Sequence, residues 1–193
     1  CYNSELRERK MAISRIDTLI SDCQSWSDFV SLANSTGKKK DKGDLFERLT
    51  QLYLQTHPIY QSKLKSVWLC NKRELPEQTR VKLNLPRTDE GIDLICETFE
   101  GKYWSVQSKY LSNSQRPLNY KKLSTFVSLS FVTARDISTA LVVHTSTKKV
   151  KKSKLMGDTF ELGLQHWLDI SETQWKQIIS ICKGNRLQPP KKR

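Results

Sequence analysis

The chain has 193 residues, 37% of them hydrophobic and 27% charged, enough for one substantial core in a water-soluble protein. No window reaches the roughly 18 consecutive apolar residues of a membrane span, and no charged-then-apolar leader resembles a signal peptide. A formal charge of +13 points to polyanionic partners, because each phosphate neutralised by Lys or Arg releases counterions.

Taken in chain order, residues 2–36 read as helical, with Leu6, Ile13, Ile16, Leu19 and Ile20 at three- and four-residue steps. A break is expected at Ser25, after which Trp26, Phe29 and Val30 resume the pattern. The run "NSTGKKKDKGD" (34–44) reads as a charged loop, and Asp44 is expected to cap a helix that ends at His57-Pro58. That helix carries Leu45, Phe46, Leu49, Leu52 and Tyr53 as its apolar stripe, with Glu47 off its centre. "SVWLC" (66–70) reads as a strand, and a polar stretch bracketed by prolines follows (71–90).

"GIDLICETF" and "KYWSVQSKY" read as two strands joined at Glu100-Gly101-Lys102. The two-residue period places Ser105, Gln107 and Lys109 on one face and Trp104, Val106, Ser108 and Tyr110 on the other. "LNYKKLSTFVSLSF" is spaced as a helix, and "ISTALVVHTS" as a strand apolar on both faces. A basic loop follows at 148–154; Ser171 and Gln174 then open a capping box for a helix ended by Gly184. The central order is helix, strand, strand, strand, helix, strand, an α/β mixed sheet flanked by helices. The domain reading is a helical N-terminal appendage (1–37), a core (38–154), a C-terminal extension with a helix (155–186) and a basic disordered tail (187–193).

Five widely spaced cysteines with no CxxC carry neither zinc spacing nor a disulfide framework, so a reducing, cytoplasmic setting is expected. The chemistry concentrates on Asp93, a carboxylate between Ile92 and Leu94 on a strand that wants burial. A buried carboxylate needs a hydrogen-bonding, ionic or metal partner. With Gln107, Lys109 and Glu47 converging on it, the ligands would be oxygen only, as suits Mg²⁺. The alternative is an Asp93–Lys109 ion pair at an exposed strand edge, with Glu47 an ordinary surface glutamate; the residues alone leave both open. Asp89 and Glu90 read as a solvated loop pair, His144 as a structural histidine, and Trp104 and Tyr110 as core.

"KDKGDLFERLTQLYL", "LPRTDEGIDLI", "YWSVQSKY" and "LNYKKLSTFVSLSF" resemble, in order, the Mrr-like nuclease domain of type ISP restriction enzymes and related helicase-containing proteins, within the PD-(D/E)xK superfamily. The resemblance runs from about Lys38 to Lys154. It implies a restriction-endonuclease-like fold and the hydrolysis of phosphodiester bonds in double-stranded DNA with Mg²⁺, or Mn²⁺ as a substitute. It assigns Glu47 to the helical glutamate, Asp93 to the central metal ligand, Gln107 to the (D/E) position and Lys109 to the motif lysine. Gln107 departs from the superfamily pattern and leaves the site one negative charge short, though the Mrr-like branch commonly carries QxK.

The same resemblance implies helicase or translocase and methyltransferase domains on a larger polypeptide, little sequence specificity in this domain, and transient pairing of two nuclease domains. Lys148, Lys149, Lys151, Lys152 and Lys154, with Lys38, Lys39, Lys40 and Lys42, are candidates for DNA phosphate contacts or simply solvated loops. The competing functional class is a DNA-binding module that keeps the fold without the chemistry. A nuclease directed at RNA is a third reading.

Overall fold

The computed structural model describes residues 15–70, 74–87, 91–151 and 157–185. Five strands form one sheet in sequence order: β1 (Leu64–Leu69), β2 (Leu94–Thr98), β3 (Tyr103–Lys109), β4 (Ile137–His144) and β5 (Thr159–Leu162). β1, β2 and β3 pair antiparallel in succession, while β3–β4 and β4–β5 are parallel pairs. The change of sense follows from the connections. A glycine-containing turn suffices between β2 and β3, where Gly101 takes φ +77°; a helix must intervene between the parallel β3 and β4.

That connecting helix is α6 (Tyr120–Ser128), which widens into a π-helical turn at Leu129–Thr133. On the same face α5 (Glu77–Lys82) sits beside Leu83, and together they cover Ile95, Tyr103, Ala140 and Val142. The opposite face meets α2 (Trp26–Ser35), α3 (Lys39–Thr56) and α8 (Glu172–Cys182), which bury Leu94, Cys96, Val106, Leu141 and Val143. β4 therefore gives alternate residues to two cores, which is why its sequence is apolar on both faces. The other helices among the described residues are α1, described over 15–21, α4 (Pro58–Gln61) and α7 (Leu164–Leu168).

Ser25 does break the N-terminal helical run, as the cap whose side chain accepts from the Asp28 N–H. Asp44 does not cap α3. The helix begins five residues earlier than Asp44, at Lys39, and Lys38 holds the cap position without a side-chain bond. Lysine is a good helix former, so the basic run extends the helix despite Gly43, whose cost of about 1 kcal/mol is offset by the apolar stripe behind it.

The segments at the two ends of the expected core share its packing. Trp26 stacks on Trp167 at 5.8 Å between ring centroids, and Phe46 meets Trp167 edge-on at 4.9 Å. Trp167 is fully buried, β5 extends the sheet, and Gln174 Nε2 donates to Thr56 Oγ1 at 3.1 Å. Gln174 thus turns its amide to α3 instead of back to Ser171, whose hydroxyl still accepts from the Gln174 N–H. Residues 1–14 and 186–193, which include Leu6, Ile13 and the basic tail, lie outside the described residues.

Candidate active site

Asp93 stands just before β2, its backbone held on both sides. The Cys70 N–H donates to its carbonyl at 2.9 Å, and its own N–H donates to the Val106 carbonyl at 2.9 Å. A residue clamped between β1 and β3 has little freedom, so its side chain is aimed by the sheet. The carboxylate, in a residue only 6% exposed, accepts from the Ser108 N–H at 2.6 Å through Oδ2. Lys109 Nζ lies 3.6 Å from the same oxygen. The Asp93–Lys109 ion pair foreseen as the alternative is therefore real, yet it sits between the inner strands β2 and β3, not at a sheet edge.

The strand period holds through this stretch. Ser105 bonds Ser130 in the π-helical turn after α6, while Ser108 approaches Thr50 of α3 at 3.3 Å and Tyr110 packs on Phe46 and Phe29. Gln107 is 4% exposed, and its Nε2 donates to the Gly91 carbonyl at 3.0 Å. Beyond the C-terminal end of β3 the two layers part, leaving a groove of about 790 Å³. Glu47 from α3 and Gln107 and Lys109 from β3 all line it, with the Asp93 carboxylate tied to Lys109. Glu47 and the Gln107–Lys109 strand end, from two stretches of the sequence, thus meet at one groove, and Lys109 ties Asp93, from a third stretch, to it.

For a cation at this end of the sheet the side-chain donors to hand would be two carboxylates and one amide; among the described residues no three His, Cys, Asp or Glu side chains come together. The amide still qualifies as an oxygen donor, because the Gly91 carbonyl can only accept and so claims the nitrogen end. An all-oxygen set fits a hard cation such as Mg²⁺, which needs one or two carboxylates and keeps its waters. Asp89 and Glu90 lie outside the described residues.

The walls of the groove are basic. Lys39 and Lys42 come from the first turns of α3, Arg116 from the loop after β3, and Lys122 from the first turn of α6. That loop is anchored, since Thr145 Oγ1 donates to the Leu111 carbonyl and Ser146 Oγ to the Arg116 carbonyl at 2.7 Å. Asn119 caps α6 by accepting from the Lys121 and Lys122 N–H groups. Arg116 and Lys122 escaped the sequence reading; the signal was a cation on either side of a Pro-bounded turn following the Gln-x-Lys strand. Lys148, Lys149 and Lys151 are exposed on the turn after β4 and do not line the groove, and Lys152 and Lys154 lie outside the described residues.

His144 is a satisfied structural group. Its Nδ1 accepts from the Ser146 N–H at 3.1 Å, so Nε2 carries the proton donated to Glu161 at 2.7 Å. Burial holds its pKa below the ordinary histidine value, against the pull of Glu161. Burial likewise raises the Tyr110 phenol, which keeps its proton and bonds Asn34.

Comparison with known proteins bears on the family and the fold. No curated protein matches the chain by sequence. The solved structure of the ATP-dependent Type ISP restriction-modification enzyme LlaBIII bound to DNA matches with a TM-score of 0.52, at 22% identity over 76% of this chain. The match spans 8% of that enzyme, and at this identity it shows a common fold. The family model described as restriction endonuclease, of the Mrr catalytic type, matches residues 55–181, which include Asp93, Gln107 and Lys109 but not Glu47. With a restriction-endonuclease-like α/β fold and most of its length matched, the chain belongs to the Mrr-type restriction endonuclease family.

Proposed function

We propose that this chain is a Mg²⁺-dependent nuclease domain that hydrolyses phosphodiester bonds in double-stranded DNA. The observation that carries the reading is one groove with cationic walls lined by Glu47, Gln107 and Lys109, with the Asp93 carboxylate 3.6 Å from the Lys109 ammonium. Asp93, Glu47 and the Gln107 carbonyl oxygen would hold the ion. Once bound, it would polarise a phosphoryl oxygen and lower the pKa of a coordinated water.

The rest of the work falls to the chain itself. The clamped backbone of Asp93 keeps its carboxylate in place without cost at the moment of reaction. Lys109 holds Asp93 only loosely, at 3.6 Å, and is a third exposed, so its ammonium can turn toward a phosphate in the groove. There its three N–H donors would orient the attacking water and offset the charge that builds on the phosphoryl oxygens. Lys39, Lys42, Arg116 and Lys122 would grip the backbone on either side.

The structural neighbour, an ATP-dependent restriction-modification enzyme, is bound to DNA, and the small fraction of its length covered here supports a role for this domain inside a larger polypeptide; helicase or translocase and methyltransferase domains would be its partners there. Pairing of two nuclease domains would let both strands be cut. The exposed Lys148, Lys149 and Lys151 would add peripheral phosphate contacts. The neutral Gln107 favours one second reading, a DNA-binding module without catalysis.

Supercoiled plasmid incubated at low salt with the wild-type chain and with Lys109→Ala, in Mg²⁺ and in EDTA, separates the two. Nicking or linearisation by the wild type alone, and only with Mg²⁺, is the expected result, with a loss of about 10²-fold or more in the variant. Tight, salt-sensitive binding by a wild-type chain that never cuts, alone or in a longer chain carrying its neighbouring domains, would replace the nuclease with the binding module.

A further inference from the structure

Position 107 holds an amide where two carboxylates already stand nearby, and the backbone at residue 91 explains the choice. Gln107 Nε2 donates to the Gly91 carbonyl at 3.0 Å, in a residue only 4% exposed. A glutamate at 107 has no hydrogen to donate when ionised. It would set one oxygen against the carbonyl oxygen at that separation, with no room for water to intervene, and a buried polar contact of two acceptors is unfavourable. Gly91 is itself specialised for the approach. It takes φ +107°, a conformation side chains avoid, and a Cβ there would come within 3.3 Å of Gln107 Nε2.

We propose that the Gly91 carbonyl is a positioning group. It holds the amide with nitrogen toward the backbone and oxygen toward the groove, and it makes glutamine, not glutamate, the side chain this site requires at 107. The ligand role of that oxygen rests on the nuclease reading above; the contact with Gly91 does not. Glutamine is then a matched part of the site and not the trace of a lost carboxylate. Among the described residues, the charged groups sharing this end of the sheet are Asp93 and Lys109 on the β2–β3 layer, Glu47, Lys39 and Lys42 on α3, Arg116 on the loop after β3, and Lys122 on α6. Lys109 is already engaged with Asp93, so a new carboxylate at 107 would compete for it.

The test uses the whole chain, ¹⁵N-labelled and in EDTA. The Gln107 side-chain NH₂ pair is identified by its disappearance in Gln107→Leu. One of its two protons should be shifted downfield and slow to exchange, and this signature should collapse in Gly91→Ala. On adding Mg²⁺ the pair should persist, as expected when oxygen and not nitrogen meets the ion. Gln107→Glu should melt below the wild type at pH 7.5 in EDTA, by about 3 °C or more, and should cut plasmid about tenfold more slowly or worse.

A Gln107→Glu chain as stable as the wild type and at least as active would overturn the proposal, and so would an NH₂ pair that exchanges freely. If the amide signature and the melting deficit hold while Mg²⁺ moves nothing and no plasmid is cut, the positioning contact stands and the nuclease reading falls.

Discussion

Asp93 does two jobs that substitution can separate. Its Oδ2 accepts from the buried Ser108 N–H, and its charge faces Lys109. Asp93→Asn can keep the acceptor while removing the charge. Asp93→Ala removes both and strands a donor, which costs about 1–3 kcal/mol. Urea unfolding should therefore place the Asn variant near the wild type and the Ala variant lower by that amount, with Mg²⁺-dependent cleavage lost in both. His144 gives a pH prediction of definite sign. Burial holds its folded pKa below the ordinary value, against Glu161 on β5 and with His166 on α7 adding to the depression. The unfolded chain therefore takes up the proton first as pH falls, so this contribution is present above about pH 6.5 and is lost on acidification. Melting temperatures measured from pH 7.5 down to 5.5 should fall less steeply in His144→Gln; the slope that persists belongs in part to His57, which burial also depresses. At this scale the sequence was most readable where a period governs direction: Gln107 and Lys109 share a face because β3 alternates. The Gly91 contact was not readable, since it depends on where a neighbouring backbone carbonyl points.

Among elements, β5 and α7 were the least legible, yet both are committed to the core through the sheet and Trp167. β5 is four residues long with Phe160 turned to solvent, and α7 is five residues long, so neither offers enough turns or alternations for a pattern to register. Position in the fold supplies what local signal lacks. β5 finds its place by pairing with the highly apolar β4, and α7 by inserting Trp167 among Trp26, Phe46 and Tyr53. Trp167 also donates its indole N–H to the His144 carbonyl at 2.9 Å, tying α7 to the end of β4. Trp167→Ala should cost about 3–5 kcal/mol in chemical denaturation, and a chain ended at residue 154 should show no cooperative melt. The start of α3 teaches the converse. A run of lysines beside two glycines reads as a loop because charge and Gly punctuate sequence, but lysines are content in a helix whose other face is buried.

For the molecule as a whole, 33 basic against 20 acidic residues announce a polyanion without saying where it binds. The fold localises part of that charge by bringing Lys39 and Lys42 on α3 opposite Arg116 and Lys122, with the Gln107–Lys109 strand end in the same groove. Lys148, Lys149 and Lys151 stand apart on the turn after β4. The two sets should therefore behave differently, although both carry the same sign. Each phosphate contact adds about 0.9 to the slope of log K against log salt on duplex DNA. Replacing the four groove cations by alanine should flatten that slope by about 3 to 4 and also slow cleavage of saturating DNA, because the phosphate is then held less well against Lys109. Replacing the three loop lysines should weaken binding and flatten the slope while leaving the rate at saturation near that of the wild type. Fluorescence anisotropy across a salt series, paired with single-turnover cleavage, measures both quantities on the same variants. Equal loss of the saturated rate in the two sets would mean that the charge acts as a diffuse field over the whole surface, and the groove would lose its claim to be where the strand lies.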